Sequence, residues 1–211
     1  HLDFRRQRQM CIRDRSSSDP TPGGGSVAAL TLSHAHSLAL MVSRLTSGKE
    51  KWSDGHEIAD KIIKSSLEGV ERSLQLAKKD ASAFDSVMNS YRLPKDTEEL
   101  RIARMDSIHS STVLAATAPL EIMREAFLLL DSITDLAKHG NSNALTDLLG
   151  SAELALSSAS IASFNVRINL DSLEPCAEKQ NISEEVENLM SLSMDRHSTI
   201  EQIIRRRLQW E

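Results

Sequence analysis

Along most of the chain, apolar residues recur in steps of three and four, the spacing of helices that bury one face. Five such segments are separated by short breaks. The first runs from about Ser26 to Thr46, with Ser26 as a candidate N-cap and Ser47-Gly48 as a stop. The second, about His56 to Ser90, carries the seam Ile63, Leu67, Val70, Leu74, Ala77, Ala81, Phe84, Met88, Tyr91, and Leu93-Pro94 ends it. The third opens at Thr97-Glu98-Glu99 and continues to His139, with a kink or break expected near Thr117 because Pro119 interrupts it. The fourth spans about Asn143 to Ile168, on a seam of small residues (Ala152, Ala155, Ala159, Ala162) that predicts close helix–helix approach. The fifth covers about Ser183 to Leu208, with Val186, Leu189, Met190, Ile200, Ile203 and Ile204 inward. The pattern predicts an all-α bundle of about five helices with no sheet.

Two stretches qualify this picture. Residues 26–43 contain no Asp, Glu, Lys or Arg, a length that would suit a membrane span. Ser33, His34, His36 and Ser37 lie in its middle, where polar groups are costly in lipid, so a helix at the centre of a bundle is expected instead. Residues 1–15 have no helical or strand period and resemble translated sequencing-adapter DNA. They read as a non-native or disordered tail, with a basic N-terminal arm as the alternative, ahead of one helical domain over 16–211.

Composition agrees with the helical reading. Aromatic residues make up 3% of the 211 residues. The net charge of −5 and the pI near 5.8 argue against a nucleic-acid surface. Cys11 and Cys176 form neither a disulfide framework nor a metal-ligand spacing. No secretory signal is visible, and a cytoplasmic protein is expected.

Candidate chemistry starts at Asp19-Pro20-Thr21-Pro22-Gly23-Gly24-Gly25-Ser26. A glycine run fused to a helix start brings backbone N–H groups to an anion or a polar ring edge, or it is a tight turn that lets helices pack. No Lys-Ser/Thr follows the last glycine, so a nucleotide-phosphate loop is not indicated. Asp80 lies on the rim of the second segment's seam, where partial desolvation would suit a general base, although it could be a surface acid after Lys78-Lys79. Asp147, Ser151, Ser158 and Asn165 share a polar stripe on the fourth segment, readable as a cleft wall or a solvated face. Asn165 and Asn169, four apart, can present two amides to one heterocycle, or Asn169 can cap the helix. No serine-hydrolase elbow or zinc-protease motif occurs, and the histidines read as core or surface residues.

The glycine motif, Leu45-Thr46-Ser47-Gly48-Lys49, Asp80-Ala81-Ser82-Ala83-Phe84, Arg92-Leu93-Pro94-Lys95, Ala118-Pro119-Leu120, Gly140-Asn141-Ser142-Asn143 with Thr146-Asp147, and Phe164-Asn165-Val166-Arg167-Ile168-Asn169-Leu170 occur in that order. Together they resemble the cyclodeaminase/cyclohydrolase domain of the formiminotransferase-cyclodeaminase family. The resemblance covers roughly residues 19–171 and implies an all-helical homodimer acting on the one-carbon bridge of tetrahydrofolate. It implies catalytic roles for Asp80 and Asp147, and substrate contacts from Gly23, Gly24, Gly25, Ser26, Asn141, Asn165 and Asn169. Lys49, Arg92 and Lys95, at helix ends, suit the carboxylates of a folate tail, or are ordinary surface charge.

A tetrahydrofolate derivative is then the substrate, with no permanently bound cofactor, no metal, no nucleic acid and no membrane partner. Two reactions fit. One is hydrolysis of 5,10-methenyltetrahydrofolate to 10-formyltetrahydrofolate; the other is cyclodeamination of 5-formimidoyltetrahydrofolate with loss of ammonia. The sequence contains no transferase domain, which tilts the expectation toward the cyclohydrolase. The non-enzymatic alternative is a helical dimeric scaffold or partner subunit.

Overall fold

A computed structural model describes residues 15, 16, 18 and 21–210; the 1–14 part of the expected tail lies outside the described residues. Among the described residues five long helices are present: α1 (Gly24–Ser47), α2 (His56–Tyr91), α3 (Glu98–His139), α4 (Leu145–Asp171) and α5 (Ala177–Leu208), with short 3-10 turns at Glu50–Gly55 and Ser142–Ala144. Helix takes up well over two thirds of the described residues, and no strand occurs among them.

The first four helices close a ring: α1 packs between α2 and α4, and α3 joins α2 to α4 on the far side. α5 lies outside the ring against α3 and α4. One apolar core runs through all five, from Ala28 and Leu32 through Ile122, Leu130 and Leu148 to Ile200 and Ile204. α1 is apolar and long enough to cross a membrane, yet half of its most apolar window is buried inside the bundle. Apolar burial at about 25 cal/mol per Å² accounts for that position without lipid.

Local chemistry sets the helix ends. Thr97 caps α3 by accepting the Leu100 N–H at 3.3 Å. At the other end of α3, the Arg207 guanidinium from α5 donates to the Ala137 and Gly140 carbonyls, both at 2.7 Å. α5 begins at Ala177, six residues earlier than the sequence pattern indicates, because Cys176 acts as its N-cap.

Several expectations are corrected. Ser26 is not the cap of α1; Gly23 is, and Ser26 faces inward. On α2 the buried line is Ala59, Ile62, Ser66, Gly69, Ser73 and Leu76, one position away from the expected seam. Small residues face the bundle because α1 approaches closely there, its His36 ring filling the space a Gly69 Cβ would take. The bulky seam residues Leu67, Leu74, Met88 and Tyr91 are left exposed. α3 is unbroken at Pro119. Proline removes one N–H, so the Ala115 carbonyl loses its helical partner; the Asn169 amide from α4 replaces it at 2.8 Å. Asn169 is therefore not a helix cap, and α4 continues past it to Asp171.

Candidate active site at the amino end of α1

The glycine run works through space instead of unusual dihedrals: no described glycine has a positive φ. α2 carries Asp80 against the first turn of α1, and a Cβ on Gly25 would collide with its carboxylate. On the other side, a Cβ on Gly24 would stand 2.9 Å from Asn165 Nδ2 on α4. The two glycines thus admit an acid from one neighbouring helix and an amide from the other.

Ser26, one residue on, donates its hydroxyl to Asp80 Oδ2 at 3.1 Å and to the Ala77 carbonyl at 3.2 Å. Burial pushes the Asp80 carboxyl above its ordinary value, partly offset by hydrogen bonds from the Ser26 hydroxyl and backbone N–H. The acid sits at the positive end of a helix dipole, within reach of the Ser26 N–H in the first turn of α1.

A cavity of about 360 Å³ opens beside this carboxylate, lined by Gly23, Gly24, Asp80, Asn165 and Asn169 among others. That volume lies within the range of small-molecule sites. Its apolar wall is made by Phe84 and Val87 of α2, Ala115 of α3 and Ile168 of α4. Asn165 donates its amide to the Ile161 carbonyl at 2.8 Å. Asn169 donates to both Ala115 and Asn165 carbonyls. Asn169 spends both of its N–H groups on backbone and Asn165 one of its two, so both side-chain carbonyl oxygens and one Asn165 N–H are left for a ligand. With the carboxylate, the described lining is rich in acceptors and includes no lysine or arginine. It suits a ligand that donates hydrogen bonds and carries positive charge.

The structure thus brings together Gly23, Gly24, Gly25, Ser26, Asp80, Asn165 and Asn169. Arg92 and Lys95 follow the end of α2, five and eight residues after Val87, and are exposed; neither lines the cavity. The other candidates lie elsewhere in the chain. Asp147 precedes Asn165 by five turns of α4, about 27 Å. Lys49 follows the far end of α1. Asn141 is buried there, receiving the Asn143 N–H and bonding Thr46 Oγ1 and the Leu45 carbonyl through its own N–H groups. It ties the end of α1 to the start of α4. Of the polar stripe on α4 only Asn165 forms cleft wall: Ser151 and Ser158 are buried and donate to the Ala35 and Ala28 carbonyls of α1.

Phe84, Val87, Ile168 and Ser172 were not singled out from the sequence as site residues. Phe84 lies four after Asp80, and Ile168 and Ser172 lie three and seven after Asn165. Helical spacing from the polar anchors would have found them.

Comparison with known proteins follows the same residues. The profile described as formiminotransferase-cyclodeaminase matches residues 9–188, beginning inside the segment read as a tail. A methenyltetrahydrofolate cyclohydrolase from Methylorubrum extorquens is 33% identical over 177 residues, covering 83% of this chain and 85% of that protein. A formimidoyltransferase-cyclodeaminase from Gallus gallus is 29% identical over 179 residues; the match covers 85% of this chain and 33% of that longer protein. The crystal structure of formiminotetrahydrofolate cyclodeaminase from Thermotoga maritima superposes with a TM-score of 0.85 at 26% identity, over 96% of both chains. The ordered motifs, the five-helix fold and a profile match over most of the length agree: this chain belongs to the formiminotransferase-cyclodeaminase family.

Proposed function

We propose that this protein is a folate one-carbon enzyme that hydrolyses 5,10-methenyltetrahydrofolate to 10-formyltetrahydrofolate, with Asp80 as the group that moves the proton. The observation that carries the reading is a partly buried carboxylate in an acceptor-lined cavity with no cation in its described lining. The methenyl bridge is a cationic amidinium, so a carboxylate serves both as counter-charge and as base. In the proposed sequence, Asp80 takes a proton from water as the water oxygen bonds the bridge carbon. The carbon–N5 bond then breaks. Asp80 returns its proton to N5, and the hydroxyl proton leaves to solvent as the formyl carbonyl forms. Asn165 and Asn169 accept hydrogen bonds from the pterin. Arg92 and Lys95 meet the tail carboxylates beyond the cavity. The reaction runs on this chain's own residues, with the folate as substrate.

The similarity to a cyclohydrolase over most of both chains supports hydrolysis. The likeness to the Thermotoga maritima structure favours a second reading, cyclodeamination of 5-formimidoyltetrahydrofolate with release of ammonia, at the same carboxylate. Two assays decide between them. Loss of the near-ultraviolet absorbance of methenyltetrahydrofolate, faster than the uncatalysed rate, supports the first. Ammonia release from formimidoyltetrahydrofolate without that activity supports the second, and inertness toward both substrates overturns both.

The proposed assembly is a homodimer paired through the outer face of α1. That face is uncharged from Gly24 to Ser43 and exposes Met41 and Leu45. Its polar members turn back on their own helix: Thr31, His34 and Ser37 bond the carbonyls of Val27, Leu30 and Ser33. The exposed seam of α2 and the exposed Phe164 and Ile168 of α4 lie on the two helices that flank α1. In an antiparallel pair with a two-fold axis near the middle of α1, the far end of one chain meets the cavity of the other. Asp147 and Lys49 of the partner subunit would then stand near Asp80, which gives these residues the site role their motifs imply. The setting is cytoplasmic, and neither a nucleic acid nor a membrane has a part in it.

A further inference from the structure

We propose that His109, Cys176 and Glu178 form a binding site for one divalent transition metal of the zinc type. His109 comes from α3, Cys176 caps α5, and Glu178 is in the first turn of α5. Their ligand atoms all lie within 4.8 Å of one another. Around a tetrahedral zinc with bonds of about 2.0–2.3 Å, ligand atoms stand roughly 3.3–3.8 Å apart. Closing the group therefore asks each pair of ligand atoms to approach by at most about 1.5 Å. Imidazole nitrogen, thiolate and carboxylate together select a borderline-soft ion over magnesium or calcium. Three protein ligands leave a fourth position for water.

The surroundings support the assignment. The Lys179 N–H donates to Cys176 Sγ at 3.4 Å, a bond that a metal-bound thiolate keeps. The Lys179 ammonium does not compete for the sulfur, because it donates to the Leu173 carbonyl at 2.8 Å. His109 and Glu178 are exposed and Cys176 is half-buried, so an ion has access. Sequence spacing could not reveal this group, because two helices distant along the chain supply it.

The site is separate from the reacting carboxylate. His109 stands six residues before Ala115 on α3, about 9 Å along the axis. Ala115 lines the folate cavity, as does Ser172 in the connection that leads to Cys176. A bound ion would fasten the start of α5 to α3 beside the cavity mouth. Its role is that of a clamp, with no part in the proton transfers.

Cobalt(II) is the probe, added to the full chain carrying Cys11→Ser so that Cys176 is the one thiol present. The expected result is a thiolate-to-cobalt charge-transfer band and tetrahedral ligand-field bands that saturate at one equivalent, with zinc displacing the cobalt. His109→Ala and Cys176→Ser should each abolish the bands or weaken binding at least 10-fold, and Glu178→Gln should weaken it about 10-fold, the scale for disturbing a metal's ligand set. Serine still caps a helix and His109 is exposed, so these variants should fold, which circular dichroism checks. Absence of a charge-transfer band at one equivalent overturns the proposal. So does binding that survives any of the three substitutions unchanged.

Discussion

At the residue scale, Gly25, Ser26 and Asp80 act as one unit. The absent Cβ admits the carboxylate, the hydroxyl fixes one of its oxygens, and burial raises its proton affinity. A carboxyl whose folded pKa lies above its unfolded value binds protons more tightly when folded. Its charge therefore costs stability once pH rises through the folded value. Asp80→Asn should accordingly hold or raise the melting temperature at neutral pH while turnover falls roughly 10²-fold or more, the scale of a lost general base. Turnover and a melting curve on the same sample check it; unchanged rates on both folates would remove Asp80 from the mechanism. Asn169 has a second role that the structure alone reveals, as donor to the carbonyl that Pro119 leaves free. Asn169→Ala should cost about 1–3 kcal/mol, the usual penalty for a stranded buried acceptor. In a Pro119→Ala background, where a backbone N–H can serve Ala115, the same substitution should cost measurably less. A double-mutant cycle by denaturant titration gives the coupling, and additive effects would count against the pairing.

At the element scale, the α1–α2 contact depends on His36 and Gly69. The buried imidazole of α1 lies where a Cβ on Gly69 would be, with Nδ1 3.4 Å from Ser66 Oγ and Nε2 without a hydrogen-bond partner among the described residues. Burial first, and the Arg72 charge second, hold its pKa down to about 4 from 6.5. In the unfolded chain the ring takes a proton below about pH 6.5, whereas in the folded chain it resists until about pH 4. Stability is thus fully present above pH 6.5 and drains away between 6.5 and 4, by on the order of 3 kcal/mol. Urea titrations across that window should show the loss, and His36→Gln should flatten it. An equal slope in the variant would mean that other groups carry the acid sensitivity. The same contact explains the misplaced seam of α2. Periodicity finds the bulkiest stripe, but α1 requires the smallest one, so Ser66, Gly69 and Ser73 face inward and Leu67 and Leu74 outward.

At the scale of the whole molecule, the motif residues separate into two groups at opposite ends of the bundle. Gly23–Ser26, Asp80, Asn165 and Asn169 gather at one end, while Lys49, Asn141 and Asp147 lie at the other. The proposed antiparallel dimer reunites them, and two measurements test it. Light scattering should report twice the chain mass at micromolar concentration, and Met41→Glu should shift it to the monomer by placing an unpaired charge in the contact. Asp80→Asn and Asp147→Asn chains, each impaired alone, should recover up to about a quarter of full activity when mixed and allowed to exchange. Half of the dimers are then mixed and each holds one intact site of two. No recovery in a demonstrably exchanged mixture would confine the site to a single chain.

Period and punctuation alone determined that this chain is helical, that the described residues form five long helices, and roughly where they end. Helix hydrogen bonds are local, and Thr97, Gly48 and Gly140 act on their own turns. The ordered motifs also pointed to the family, and to Asp80, Asn165 and Asn169 within it. Tertiary structure decided which face of each helix is buried, because that depends on the volume of facing residues, as at Gly69 and His36. It decided that Ser151 and Ser158 bond α1 instead of facing a cleft, and that Asn169 supports Pro119 across fifty residues of chain. It also decided which polar residues meet. Along one helix spacing fixes distance, but between helices only packing does, so the Asp80 carboxylate finds Gly25 and Ser26 of α1 while Asp147 remains five turns from Asn165.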